Sequence, residues 1–187
     1  MKKLLITALV AASTTSTFAI DYMQINGKKI TMNDTRSTLI QKLGKPESGT
    51  SSNSRWNIEN LNIYAEYNKN ALADFSVWAV NNKPSGNYIN INGKNIYLGK
   101  DTIKTATTKL KYGCFGFNIL SFKPYYSLTP RATEYKPYNI TLTSIGEDDS
   151  VKDFDDQKGI KALANIPVSG FKFSVTDPDM SQGCNYG

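Results

Sequence analysis

The chain repeats itself, and the repeat constrains its architecture more than any single motif does. Gln24-Ile25-Asn26-Gly27-Lys28-Lys29-Ile30-Thr31-Met32 returns as Asn90-Ile91-Asn92-Gly93-Lys94-Asn95-Ile96-Tyr97-Leu98. Asp34-Thr35 returns as Asp101-Thr102 after one inserted residue, and Lys42-Leu43 returns as Lys109-Leu110. Chance seldom preserves both an Ile-Asn-Gly-Lys core and its spacing to the Asp-Thr and Lys-Leu pairs downstream. The period of about 66 residues is longer than that of the usual solenoid repeat and implies a duplicated module.

Each copy opens on a hairpin. Asn-Gly between alternating apolar runs is the strongest short hairpin signal, because a type I′ turn needs positive φ at both central residues. A short helix follows. In the first copy Asp34 is the expected cap, Leu39, Ile40 and Leu43 share a face, and Gly44 and Pro46 end the helix. In the second, Asp101 is the expected cap, Ile103, Ala106 and Leu110 face inward, and Gly113 is the stop. Strands come next. Leu61 to Tyr67 and Ala71 to Val80 alternate with period two around an Asn68-Lys69-Asn70 turn. The second copy offers strands at 114–122, 138–145 and 171–176, with an insertion punctuated by Pro124, Pro130 and Pro137. Pro84-Ser85-Gly86 marks a linker or a tight crossing between the copies. The expected fold is α+β: two tandem modules, 20–83 and 84–187, each a hairpin plus a short helix packed on an antiparallel sheet.

A hairpin, then a capped helix ending in Leu43-Gly44-Lys45-Pro46, then antiparallel strands resembles one half of the β-lactamase inhibitor protein fold. The pattern is also similar to the small outer-membrane assembly lipoproteins, whose helix ends in a comparable Leu-Gly-x-Pro. Two such halves in tandem are what the inhibitor family uses, so the resemblance implies an exported protein that occupies an enzyme. The second copy departs from the motif, because Lys111-Tyr112-Gly113-Cys114 lacks the proline. None of that family's inhibitory residues has a counterpart that can be placed here.

The N-terminus reads as a secretory leader. Lys2 and Lys3 precede the apolar run Leu4 to Ala12, and Thr17-Phe18-Ala19 presents small residues where a signal peptidase reads, so cleavage after Ala19 is expected. The run is shorter than the roughly 20 residues that cross a bilayer. No cysteine lies near the cleavage point, which argues against a lipid anchor. The alternative is an uncleaved anchor or a buried N-terminal helix. The expected location is the periplasm or the medium, with no membrane insertion. Cys114 and Cys184 are the only cysteines, and an exported pair of this kind is expected to form a disulfide.

Composition removes several chemistries. There is no histidine, hence no Ser-His or Cys-His nucleophile pair and none of the usual zinc ligands. The formal charge of +6 includes the two leader lysines, and Arg36, Arg55 and Arg131 do not cluster, so no nucleic-acid partner is expected. Glu66 and Asp74 fall on one side of adjacent strands and are the one candidate carboxylate pair for glycoside hydrolysis, although acids on sheets are usually solvated. The acidic stretch 147–156 lacks the spacing of a calcium loop, and no metal site or cofactor is expected.

The most informative pattern is where the aromatics fall. Leu61, Ile63 and Ala65 alternate with Asn62, Tyr64 and Glu66. Ala73, Phe75, Val77 and Ala79 alternate with Asp74, Ser76 and Trp78. The apolar sets must face the helix, which leaves Tyr64, Glu66, Asp74, Ser76 and Trp78 on the open face. Tyr and Trp beside acids have the composition of an interface hot spot. The competing possibilities are that this face is the seam between the two copies, or that the aromatics cover the sheet as cross-strand pairs. The expected function is therefore a non-catalytic binding protein, an inhibitor or immunity protein that occupies a toxin or enzyme. The alternatives are an envelope structural or assembly factor and a carbohydrate-binding protein.

Overall fold

The computed structural model describes residues 20–81, 83–111, 114–118, 123–128, 138–144 and 164–175. Both hairpins form where Asn-Gly stands. Strands β1 (Tyr22–Ile25) and β2 (Lys28–Ile30) turn at Asn26 and Gly27, with φ of 47° and 78°. Strands β7 (Tyr88–Ile91) and β8 (Lys94–Tyr97) turn at Asn92 and Gly93, with φ of 49° and 78°. Positive φ at both central residues is the type I′ signature. A Cβ on Gly27 or Gly93 would meet nothing within 4 Å, so the glycine is required by the backbone and not by space. Gly93→Val should therefore cost about 1–3 kcal/mol through backbone strain alone. A urea melt checks this, and an unchanged midpoint would mean that the turn is not held in the left-handed region.

Helix α1 (Arg36–Leu43) buries Leu39, and helix α2 (Ile103–Leu110) buries Ile103, Ala106 and Leu110. Their caps differ from expectation. Thr35 and Thr102 are the N-caps, each in a capping box with the threonine three residues on, Thr38 and Thr105. Asp34 and Asp101 stand one residue too early to cap. Instead they bind the hairpin to the helix: Asp34 accepts from the Thr31 amide at 2.8 Å and from the Lys42 ammonium at 2.6 Å. Asp101 accepts from the Tyr97 amide at 2.7 Å and from the Lys109 ammonium at 2.8 Å. The repeated Asp-Thr and Lys-Leu pairs are thus one device used twice. Gly44, at φ 88°, ends α1, and Lys111, left-handed at φ 59°, ends α2; Gly113, the expected stop, lies outside the described residues.

The remaining strands are β3 (Ser48–Gly49), β4 (Asn53–Ile58), β5 (Leu61–Asn68), β6 (Ala71–Ala79), β9 (Cys114–Asn118), β10 (Lys123–Leu128), β11 (Asn139–Thr143) and β12 (Gly170–Ser174). They do not stay within their halves. One antiparallel sheet has the order β2-β1-β7-β8, the other β3-β4-β5-β6-β12-β11-β10-β9. The hairpins join through β1 and β7, with Met23 opposite Ile89. The meanders join through β6 and β12, with Phe75 opposite Phe173. The joins are reciprocal at the hairpin turns too. Asp21, just before β1, accepts from the Asn92 amide at 2.9 Å, and Asn87, just before β7, accepts from the Asn26 amide at 2.8 Å.

The expected pair of α+β modules is therefore overturned. Among the described residues the protein is predominantly β, two continuous antiparallel sheets with two eight-residue helices. The physical reason is edges and size. A lone half would expose β1 and β6 as unpaired edges, and a unit of some 60 residues buries too little apolar surface to be comfortably stable. Pairing across the halves removes both edges and merges the inner rows into one core. Met23, Ile25, Ile89 and Ile96 of the small sheet share a single buried cluster with Ile63, Phe75, Val77, Phe171 and Phe173 of the large one. Helix α1 lies by edge strand β2, and α2 by edge strand β8.

Candidate binding face

The register of the large sheet sets its two faces, since residues directly opposite in antiparallel strands share a side. The row Trp56, Ile63, Val77, Phe171 and Leu142 is buried in the core. The rows to either side make up the opposite face, which is exposed along β4 and β5 and closed at Ser76, Gly170, Ser174 and Asn139. One runs Asn57, Asn62, Trp78, Gly170 and Thr143; the next Arg55, Tyr64, Ser76, Lys172 and Thr141; the third Asn53, Glu66, Asp74, Ser174 and Asn139. All five expected site residues are thus brought together. The other half joins this sheet edge to edge, so the competing arrangement, a seam over Tyr64 and Trp78, is not formed between the described strands.

The side chains are ordered by one another. The Tyr64 hydroxyl donates to the Glu66 carboxylate, and the Arg55 guanidinium lies 5.3 Å from the Tyr64 ring centre. The hydrogen bond to Glu66 holds the phenol proton and raises the Tyr64 pKa above its ordinary value. Glu66 and Asp74 are direct cross-strand neighbours, an arrangement that repels when both are charged. Lys172 relieves it with an ion pair to Asp74 at 2.7 Å, and the Ser76 hydroxyl donates to the same carboxylate at 2.9 Å. Ser76 is itself buried, at 2 % exposure, and so supports the face more than it presents one.

Trp78 is half-buried and lies across Gly170. A Cβ at Gly170 would come within 2.7 Å of the Trp78 ring and 2.5 Å of the Thr143 hydroxyl, so glycine is what lets the indole lie flat on the sheet. Beside it is a shallow depression of 610 Å³ lined by Glu47, Arg55, Asn57, Asn62, Tyr64 and Trp78. The aromatic pair, with amide and guanidinium donors at its rim, can receive a partner's apolar group and hydrogen-bond its edges.

Sequence reasoning missed Arg55, Asn57, Lys172 and Gly170. The first two lie on β4, whose polar run Asn53-Ser54-Arg55 hides its alternation. Lys172 sits between Phe171 and Phe173 in an expected strand, but nothing local says that this strand neighbours β6. Cys114 begins β9, while Cys184 and the stretch 147–156 lie outside the described residues. Among the described residues no cluster of three or more His, Cys, Asp or Glu side chains could hold a metal ion, and no helix is long and apolar enough to cross a membrane. Comparison with protein families, curated proteins and solved structures finds no match.

Proposed function

We propose that this protein is exported and, without catalysis of its own, occupies another protein through the open face of its large sheet, as an inhibitor or immunity protein occupies an enzyme or toxin. The observation that carries this reading is the edge-to-edge joining of the meanders. It leaves Tyr64, Glu66 and Trp78 at the exposed β4–β5 part of the sheet face, with Tyr64 and Glu66 preset by their mutual hydrogen bond. Side chains held in place before binding lose less entropy on association. Aromatic anchors ringed by polar groups are where interface energy concentrates.

A second reading has one observation in its favour. The depression beside Trp78 pairs an aromatic platform with Asn57, Asn62 and Arg55, a set that also suits the apolar face and hydroxyl edge of a sugar ring.

Immobilised wild-type protein should capture a protein partner from a periplasmic extract, and retention on glycan alone would favour the sugar reading. With the captured partner in hand, Glu66→Gln together with Asp74→Asn is the direct test. Glu66→Gln removes a negative charge, and Asp74→Asn frees the Lys172 ammonium. Association with a basic partner should slow at low salt and change little at high salt, as rim charges dictate. An unchanged rate at low salt would place the partner elsewhere.

A further inference from the structure

The outer face of the small sheet has a character of its own. One row crosses all four strands as Lys29, Gln24, Tyr88 and Tyr97, and beside it run Tyr22, Asn90 and Asn95. The three tyrosines form a ladder: Tyr22 and Tyr88 meet edge-on with ring centres 6.1 Å apart, and Tyr88 and Tyr97 are tilted with centres 5.1 Å apart. Lysines cover the ends. The Lys29 ammonium lies 4.2 Å from the Tyr22 ring centre and that of Lys100 lies 5.6 Å from the Tyr97 ring centre.

The charge is one-sided. Residues 22–33 and 87–100 contain no Asp or Glu. The three flanking acids are all buried: Asp34 is bonded to Lys42 and the Thr31 amide, Asp101 to Lys109 and the Tyr97 amide, and Asp21 accepts from the Asn92 amide and the Tyr138 hydroxyl. Lys29 and Lys100 are exposed, and neither is paired with a carboxylate among the described residues.

We propose that this tyrosine-lysine face is a second docking surface, taking an acidic segment of a protein. Charge complementarity selects the sign of the partner, and the ring contacts select its class. Binding of single-stranded nucleic acid needs open ring faces on which bases stack. Here the ammonium groups lie over Tyr22 and Tyr97, and Tyr88 between them meets Tyr22 edge-on and is tilted against Tyr97. Two unpaired lysines are also fewer than a dense polyanion such as a sulfated glycan would engage. What the face does present is phenol hydroxyls and amides between two cations, the Tyr- and Asn-rich composition of protein-binding paratopes. Strands about 4.8 Å apart put the outer strands roughly 15 Å from each other, which an extended peptide covers in about four or five residues. The partner is therefore an extended segment with carboxylates spaced at about that interval.

The test uses the full exported chain and a labelled deca-glutamate peptide, with a ten-nucleotide oligothymidylate and heparin as competing probes. The peptide should bind at low salt, weaken as salt is raised, and lose about tenfold or more in affinity with Lys29→Glu plus Lys100→Glu, because both ends of the row would then repel it. Tyr88→Phe keeps the ring and the fold but removes the central hydroxyl, and should weaken the peptide more modestly. Trp78→Ala, on the opposite sheet, should leave peptide binding unchanged, which separates this surface from the one proposed above. The proposal is overturned if the peptide does not bind at low salt or if the lysine variants bind it as well as wild type does. It is also overturned if oligothymidylate or heparin binds more tightly than the peptide, or if Trp78→Ala abolishes peptide binding.

Discussion

Phe75→Ala should lower the stability of the whole protein by about 3–5 kcal/mol, the range for emptying a large buried aromatic site. Phe75 is fully buried and stands opposite Phe173, also fully buried, on the strand pair that joins the two meanders. The loss should be felt across both halves at once, because one core spans them. Chemical denaturation followed by both fluorescence and far-ultraviolet circular dichroism should show a single shifted transition. Two separate transitions would mean that the halves keep separate cores and would contradict the edge-to-edge fold. Phe173→Ala should behave alike, and the double variant should lose less than the sum, since the two residues share one site.

Replacing Cys114 and Cys184 together by serine should cost about 4 kcal/mol, the chain-entropy value for a loop of about 70 residues. The premise is the proposed export, which would bring the one cysteine pair into an oxidising compartment. Cys114 opens β9, the last strand of the large sheet, so a bridge there would secure the end of the sheet farthest from β3. Thiol titration of denatured, unreduced protein should find no free thiol. Two titratable thiols per chain would remove the bridge from the account.

Much of this architecture was legible locally and little of it globally. Asn26-Gly27 and Asn92-Gly93 announced their turns because few dipeptides accept two consecutive positive φ values. The alternation of Leu61 to Tyr67 and of Ala71 to Ala79 announced β5 and β6, and with them the grouping of Tyr64, Glu66, Asp74, Ser76 and Trp78. The sheets themselves were not legible. The pairing of Met23 with Ile89, or of Phe75 with Phe173, depends on which edges must be closed, and residues far apart in sequence decide that. Strand β4 was hidden because Ser54 occupies an inward position that alternation would assign to an apolar residue. The helix caps were misplaced by one residue because Asp34 and Asp101 are good caps by type, yet here they serve the preceding hairpin. Gly170 could not be recognised as part of the site, since its significance is the Trp78 ring lying over it.

The central claim is that a partner protein sits on the open face around Trp78. The measurement that tests it most directly is the affinity of the captured partner for Trp78→Ala, made beside a thermal melt of the same variant. Loss of a central aromatic anchor should weaken binding by about 2 kcal/mol or more, roughly thirtyfold. The melt should move less than that of Phe75→Ala, because Trp78 is only half-buried and stands outside the core. Wild-type affinity in a variant destabilised by about 3–5 kcal/mol, the cost of a buried aromatic, would contradict the claim and make Trp78 a packing residue.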